Sequence, residues 1–430
     1  MSSLKRSFFA IAMLAVVLTG AAVVRAEGIG TGLTRDSAAG DKPFQEAMIS
    51  LVEGKADLAD RQFQAILVKN PKHIYAILGR AQIALERNQV PLADRLVREA
   101  LSINNKAAEA HNMLGIVYMQ QRREADAVPE FLKAVELNPK FWTPRLHLAN
   151  LYRSQKKLQQ AIEQLQGIVR IDPKSATAHM GIADIYMESG DYPKAVLALQ
   201  NWKNLDPKSA EAPNALGMIY ASRKDFDKAL QQFDAALALD PKHVYATKNK
   251  ADIVLARGDA AKAIELYNAA IRLNPRYVEP YLRLASYYQD KKETAKAIDI
   301  YRRAVAAEPR FAEGYNNIAW LLLQGKGDLS EATRMAQKAV EVEPKYADAH
   351  DTLGWIYYHN GQYDNAIKSL TTADSLRPNN GDTLAHLGMA YYKKGMKKEA
   401  LTTLKKALAA KKDLDDLVTI NKTVAELEKS

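Results

Sequence analysis

Lys228-Ala-Leu-Gln-Gln-Phe-Asp-Ala-Ala-Leu-Ala-Leu239, followed by Asp240-Pro241-Lys242, is the stretch from which the fold can be read. Its apolar residues recur at three- and four-residue spacing, which puts them on one face of an amphipathic helix. Proline disfavours helical geometry in the residue before it, so this helix is expected to stop at the Asp-Pro step. The same ending recurs along the chain, at Pro71, Pro139, Pro173, Pro207, Pro241, Pro275 and Pro309. From Pro139 onward these prolines are 34 residues apart, and Asn105 stands at the skipped step before it. Pro344 follows after 35 residues and Pro378 after 34. The extra residue fits the loop Gly325-Lys326-Gly327-Asp328, where an insertion can bulge without disturbing a helix.

With proline at position 32 of a 34-residue unit, position 20 is alanine in all eleven units, from Ala59 and Ala93 through Ala366 and Ala400. Position 8 is always glycine or alanine, as at Ala47, Gly115, Gly217 and Gly388, and position 11 is often tyrosine, as at Tyr118 and Tyr220. Two helices can cross closely only where the contact residues are small, so positions 8 and 20 read as crossing points. Larger residues such as Leu114, Tyr118 and Phe131 fill the space around them. Short turns such as Glu188-Ser-Gly-Asp-Tyr192 separate the two helices of a unit.

These eleven registered units resemble the tetratricopeptide repeat (TPR) family, over roughly residues 40 to 414. The resemblance implies an all-α, right-handed superhelical solenoid of about eleven helix-turn-helix repeats. One hairpin cannot bury its apolar face, whereas stacked hairpins share a continuous core and need finished ends. Four segments follow: 1–26, a signal peptide or N-terminal anchor; 27–40, a flexible, glycine-rich linker; 41–414, the solenoid; and 415–430, a C-terminal capping helix. The first unit, near 41–73, matches the pattern weakly and is expected as an N-terminal cap. Lys412 replaces the proline of the last unit. The closing helix should turn Leu417, Val418, Val424 and Leu427 inward.

The N-terminus bears on location. Lys5 and Arg6 precede an uncharged run from Phe8 to Val24, and Val24-Arg25-Ala26 suits cleavage after Ala26. The run has 17 residues, at the lower edge of what spans a bilayer, so an uncleaved anchor is the alternative. Either reading sends the body of the chain across a membrane, to a periplasmic or envelope-associated location. Formal net charge is +10, and removing Lys5, Arg6 and Arg25 leaves 57 basic residues against 50 acidic ones. These charges are scattered through every repeat, which speaks against nucleic acid as a partner. The chain has no cysteine, which excludes disulfides, thiol catalysis and a lipidated cysteine.

Catalytic signatures are missing: no His-Glu-x-x-His pair, Walker loop, dinucleotide fingerprint or Gly-x-Ser-x-Gly elbow occurs. No cofactor and no enzymatic activity are expected. His111, His179 and His350 share position 4 of their units, a spacing set by the repeat, so they read as packing residues and not as metal ligands.

In TPR proteins the first helix of each unit lines a concave groove, chiefly through positions 2, 5, 9 and 12. Carried onto this chain, those positions give the candidate partner-binding residues Met180, Met187, Met218, Asn316, Trp320, Trp355, Tyr358, Met389 and Tyr392. The competing reading is that they pack between first helices, and it weighs most for the methionines. For the aromatics the binding reading is favoured, because large rings with a polar tip suit binding hot spots. Methionine suits a groove that accepts varied partners. An extended or helical peptide is the expected ligand. The carboxylate clamp of chaperone-binding TPR proteins needs Lys and Asn at positions 5 and 9; here Lys248 is followed by Asp252, which speaks against that mode.

Asn317-Ile-Ala-Trp-Leu-Leu322 and Asp351-Thr-Leu-Gly-Trp-Ile-Tyr-Tyr358 are similar to bacterial exported TPR proteins of exopolysaccharide and exosortase systems. That similarity implies a periplasmic scaffold holding protein or peptide segments of the envelope. The alternatives are a self-associating structural assembly protein and a membrane-anchored assembly factor.

Overall fold

The computed structural model describes residues 31–38, 40–411, 414 and 417–429. The signal or anchor expected over 1–26 lies outside the described residues, as do residues 27–30 of the expected linker. Among the described residues there are 23 α-helices, one short 3-10 helix and no strand. The first 22 α-helices form eleven hairpins, from Lys42–Val52 with Ala56–Lys69 to Gly381–Lys393 with Lys397–Ala410. Leu417–Glu428 follows as a single helix. The chain divides into two compact units, Met1–Asp240 and Pro241–Ser430, and the division falls at an Asp-Pro step between repeats.

Local chemistry ends each helix where the repeat requires. In all eleven hairpins the second residue after the first helix has positive φ. Glycine takes that place at Gly54, Gly190, Gly258, Gly361 and Gly395; Asn88, Arg122, Lys156, Lys224, Lys292 and Lys326 take it elsewhere. This left-handed residue lets the turn recover the last helical carbonyls. At the other end of the hairpin, the Asn or Asp before proline folds back on the turn. Asn138 accepts from the Lys140 amide at 3.2 Å, and Asp172 accepts from Lys174 at 3.0 Å. The recurring Asn/Asp-Pro-Lys triplet is therefore a turn with its own side-chain hydrogen bond.

The crossing points are as small as packing demands. Every position-20 alanine, from Ala59 to Ala400, is wholly buried. A Cβ added at Gly115 would lie 2.6 Å from the Phe131 ring, so position 8 is small because position 24 of the same hairpin leans on it. Burying a ring such as Phe131 contributes about 1.5–3 kcal/mol, and Phe63, Phe233, Tyr267 and Tyr301 repeat that burial in their own units.

The ends differ from two of the expectations, the composition of the closing helix's inner face and the linker. The first unit is a complete hairpin, with Phe44, Ala47, Met48 and Phe63 buried. In the closing helix Val418 is 82 % exposed, and the inward residues are Ile420, Thr423 and Leu427, with Leu417 and Val424 partly covered. The helical stripe runs through 417, 420, 424 and 427, which leaves 418 about 100° off it. Residues 31–33, expected as part of a flexible linker, are instead packed, with Thr31 and Leu33 buried, and Arg35–Ala38 forms the 3-10 helix.

Candidate functional site

The first helices of the second unit carry Trp320 in Ala312–Gln324, Trp355 and Tyr358 in Ala347–His359, and Met389 and Tyr392 in Gly381–Lys393. Trp355 and Tyr358 lie one turn apart and stack at 4.4 Å between centroids with 13° between planes. Trp355 also stacks on His386 of the next repeat, at 4.1 Å and 14°. Trp320 meets the same imidazole more loosely, at 6.5 Å and 42°. His386 therefore joins the two tryptophans. Both indoles remain partly exposed.

The imidazole is held in turn by Asp351, one helical turn before Trp355, whose two carboxylate oxygens each lie 3.2 Å from His386 Nδ1. Neither residue was among the candidates. Asp351 stands at position 5 of its unit, where the rule for groove positions reaches it. His386 stands at position 6, where no rule points inward.

The remaining candidates divide. Asn316 is 6 % exposed, and its Oδ1 finds no hydrogen-bond partner among the described residues. Met389 is buried in the small core that the closing helix completes with Leu414, Ile420 and Leu427. Tyr392 donates its hydroxyl to Glu426 Oε2 of that helix at 2.9 Å. The closing helix thus takes up the last two candidates, so the partly exposed aromatic face centres on Trp320, Trp355 and Tyr358. In the first unit Met180 and Met187 pack half-buried against the cluster around Trp202 and Leu216, and Met218 is half-buried on Glu211–Ser222.

Acidic residues occupy position 2 in four successive repeats of the second unit: Glu279, Glu313, Asp348 and Asp382. Arg283 approaches Glu279, Arg377 pairs with Asp348, and Lys411 pairs with Asp382 at 2.8 Å. Loss of water in the wall of the face raises the Glu313 carboxyl, and Glu279 and Asp348 raise it further. These cations come largely from the repeat itself, so the ladder reads as part of the frame.

The position-4 histidines each reach back to the preceding turn. His111 Nε2 donates to the Asn105 carbonyl at 3.0 Å, His179 to Pro173 at 2.9 Å, and His350 to Pro344 at 3.0 Å. His179 also stacks on Trp202 at 5.8 Å. Among the described residues no group of three or more histidine, aspartate or glutamate side chains is placed to hold a metal ion. Among them, too, no helix is long and apolar enough to cross a membrane.

Helical hairpins in register, small crossing residues and an aromatic face on the first helices define a repeat protein of the binding class. The chain belongs to the tetratricopeptide repeat family. Family profiles described as "Tetratricopeptide repeat" match residues 108–141, 152–219, 214–278, 254–321, 335–368 and 357–418. Human "Tetratricopeptide repeat protein 7B" is 31% identical over 94 residues, which is 22% of this chain and 11% of that protein. The chain thus spans about a tenth of that relative. Among solved structures, the APC/C hetero-tetramer Cut9-Hcn1 is similar with 15% identity and a TM-score of 0.43, over 89% of this chain and 96% of that one. The MamA protein is similar with 28% identity and a TM-score of 0.35, over 39% of this chain and 91% of that one. TPR proteins bind other proteins or peptide segments.

Proposed function

We propose that this chain is an exported, non-enzymatic scaffold whose second unit holds a segment of another envelope protein against the face around Trp320 and Trp355. The observation that carries this reading is the shared imidazole. Two partly exposed indoles from successive repeats are set around His386, and Asp351 fixes that ring. Pre-positioned aromatics lose little freedom on binding, so their contact area goes largely into affinity. The export half rests on the Lys5–Ala26 pattern. A place in polysaccharide export rests on the similarity of the Trp320 and Trp355 helices to exported TPR proteins of such systems.

The test is affinity capture from the envelope fraction with the native chain and with the Trp320→Ala/Trp355→Ala variant. A protein retained by the native chain and lost with the variant supports the adaptor. Equal capture by both, with helicity intact, overturns the aromatic face as the site. Capture of the chain's own copies alone favours the self-assembling alternative.

A further inference from the structure

We propose that the first-helix face of repeats two to four is a binding site for a short peptide of hydroxyl–glycine–aliphatic character, and that the chain's own Thr31-Gly32-Leu33 fills it as an intramolecular ligand. This inference concerns the first unit and does not depend on the Trp320–Trp355 face.

Each feature of the segment meets a matching group. Asn112, on the first helix of repeat three, donates its Nδ2 to the Thr31 carbonyl at 2.8 Å. Gln82, on the first helix of repeat two, accepts from Thr31 Oγ1 through Oε1 at 2.8 Å. The other end of the Gln82 amide donates to Glu86 at 3.2 Å, which turns the oxygen towards the threonine. Gly32 has φ +70°, and a Cβ there would lie 2.0 Å from the Phe141 ring at the start of repeat four, so no side chain is admitted. Leu33 is 4 % exposed and joins the apolar core of the first repeats.

The receptor side chains are unusual for a core. Gln82 and Asn112 are 4 % and 0 % exposed, at positions 9 and 5 of adjacent repeats, the positions that face ligands in this fold. A buried amide without a partner costs about 1–3 kcal/mol, so an occupant that covers these two side chains must supply their hydrogen-bond partners, as Thr31 does. Recognition through a main-chain carbonyl, a hydroxyl, a glycine and one aliphatic pocket does not require this chain in particular. Any segment with those groups can compete.

The segment is held close to its site. Ser37 donates its amide to the Thr34 carbonyl at 3.1 Å, and the 3-10 helix leads back to Asp41, which caps the first helix and meets His73 at 2.7 Å. A connection this short keeps the effective concentration of the ligand at roughly millimolar or above, so a competitor must outbind it.

The probe is a fluorescent peptide covering residues 27–38, titrated by anisotropy into the full chain. Gly32→Val expels the resident segment by steric clash, and Leu33→Asp does so by burying a charge. Both opened chains are expected to bind the peptide at least about tenfold more tightly than the native chain. Adding Asn112→Leu to either should remove at least about tenfold of that affinity, and a peptide carrying Gly32→Val should not bind. Circular dichroism confirms that the helices persist. Equal binding by native and opened chains overturns the proposal, as does no binding by either opened chain, or binding that survives Asn112→Leu. Trp320→Ala/Trp355→Ala leaves this titration unchanged, so its outcome is separate from that of the envelope capture.

Discussion

The indole of Trp355 lies nearly parallel to the imidazole of His386, with 4.1 Å between centroids and 14° between planes, across the junction of two repeats. The contact ties the orientation of a groove residue to its neighbouring repeat. His386 also gives Asp351 a partner, so one side chain serves both a ring and a carboxylate. His386→Ala is expected to destabilise the chain by about 1–3 kcal/mol, combining a ring stack with loss of that partner. His386→Phe, which keeps the stack alone, should fall between. Urea unfolding checks the order, and a His386→Ala chain as stable as the native one would show the stack to be incidental.

Asp184 supplies a pH dependence in the first unit. Its carboxyl is pushed up to about 6, chiefly because burial strips its water, with Arg153 opposing and Glu188 adding to the rise. An unfolded aspartate titrates near 3.9. The folded value is the higher one, so the ionised form is penalised on folding: the cost is full above about pH 6 and gone below about pH 4. Asp184→Asn should therefore stabilise the chain at pH 7–8, by no more than about 3 kcal/mol, and make no difference near pH 4. Thermal unfolding of both chains across that range reads the difference directly; a constant gap would contradict it.

The hairpin turns predict gains. Lys224 and Lys292 hold left-handed backbone, at φ 61° and 59°, where a Cβ is strained. Lys224→Gly and Lys292→Gly are each expected to raise stability by about 0.5–1 kcal/mol, and Gly258→Ala to lower it by about 1 kcal/mol. Chemical denaturation of the single variants suffices, and a loss at both lysine sites would contradict the argument.

Asn316 sets stability against binding. Its buried Oδ1 has no partner among the described residues, a cost of about 1–3 kcal/mol. Asn316→Leu should stabilise the chain by about 1 kcal/mol while weakening retention of a partner captured through the Trp320 face. Greater stability with unchanged capture would assign Asn316 to the frame alone.

Much of this was legible in the residue order. The 34-residue spacing of prolines, the alanine at position 20 and the helical periodicity of Lys228–Leu239 are each satisfied within one hairpin or between adjacent ones. The groove was less legible. Position numbers reached Trp320, Trp355 and Tyr358 but passed over His386, because position 6 is not among the groove positions 2, 5, 9 and 12. Val418 was misplaced because a short helix with five large apolar residues admits more than one stripe, and its neighbours decide among them.

The sequence by itself determined a TPR array: where each helix begins and ends, and which small residues let neighbours cross. Those are short-range matters of backbone preference and periodicity, repeated in every unit. Only the tertiary structure decided which faces stay open. Tyr392 is claimed by Glu426, 34 residues away, and Thr31 is claimed by Gln82 and Asn112, 51 and 81 residues away. No local pattern encodes such pairs. The Thr31 bonds form because polar groups buried by packing must find partners, and those partners can lie anywhere in the sequence that the fold brings near.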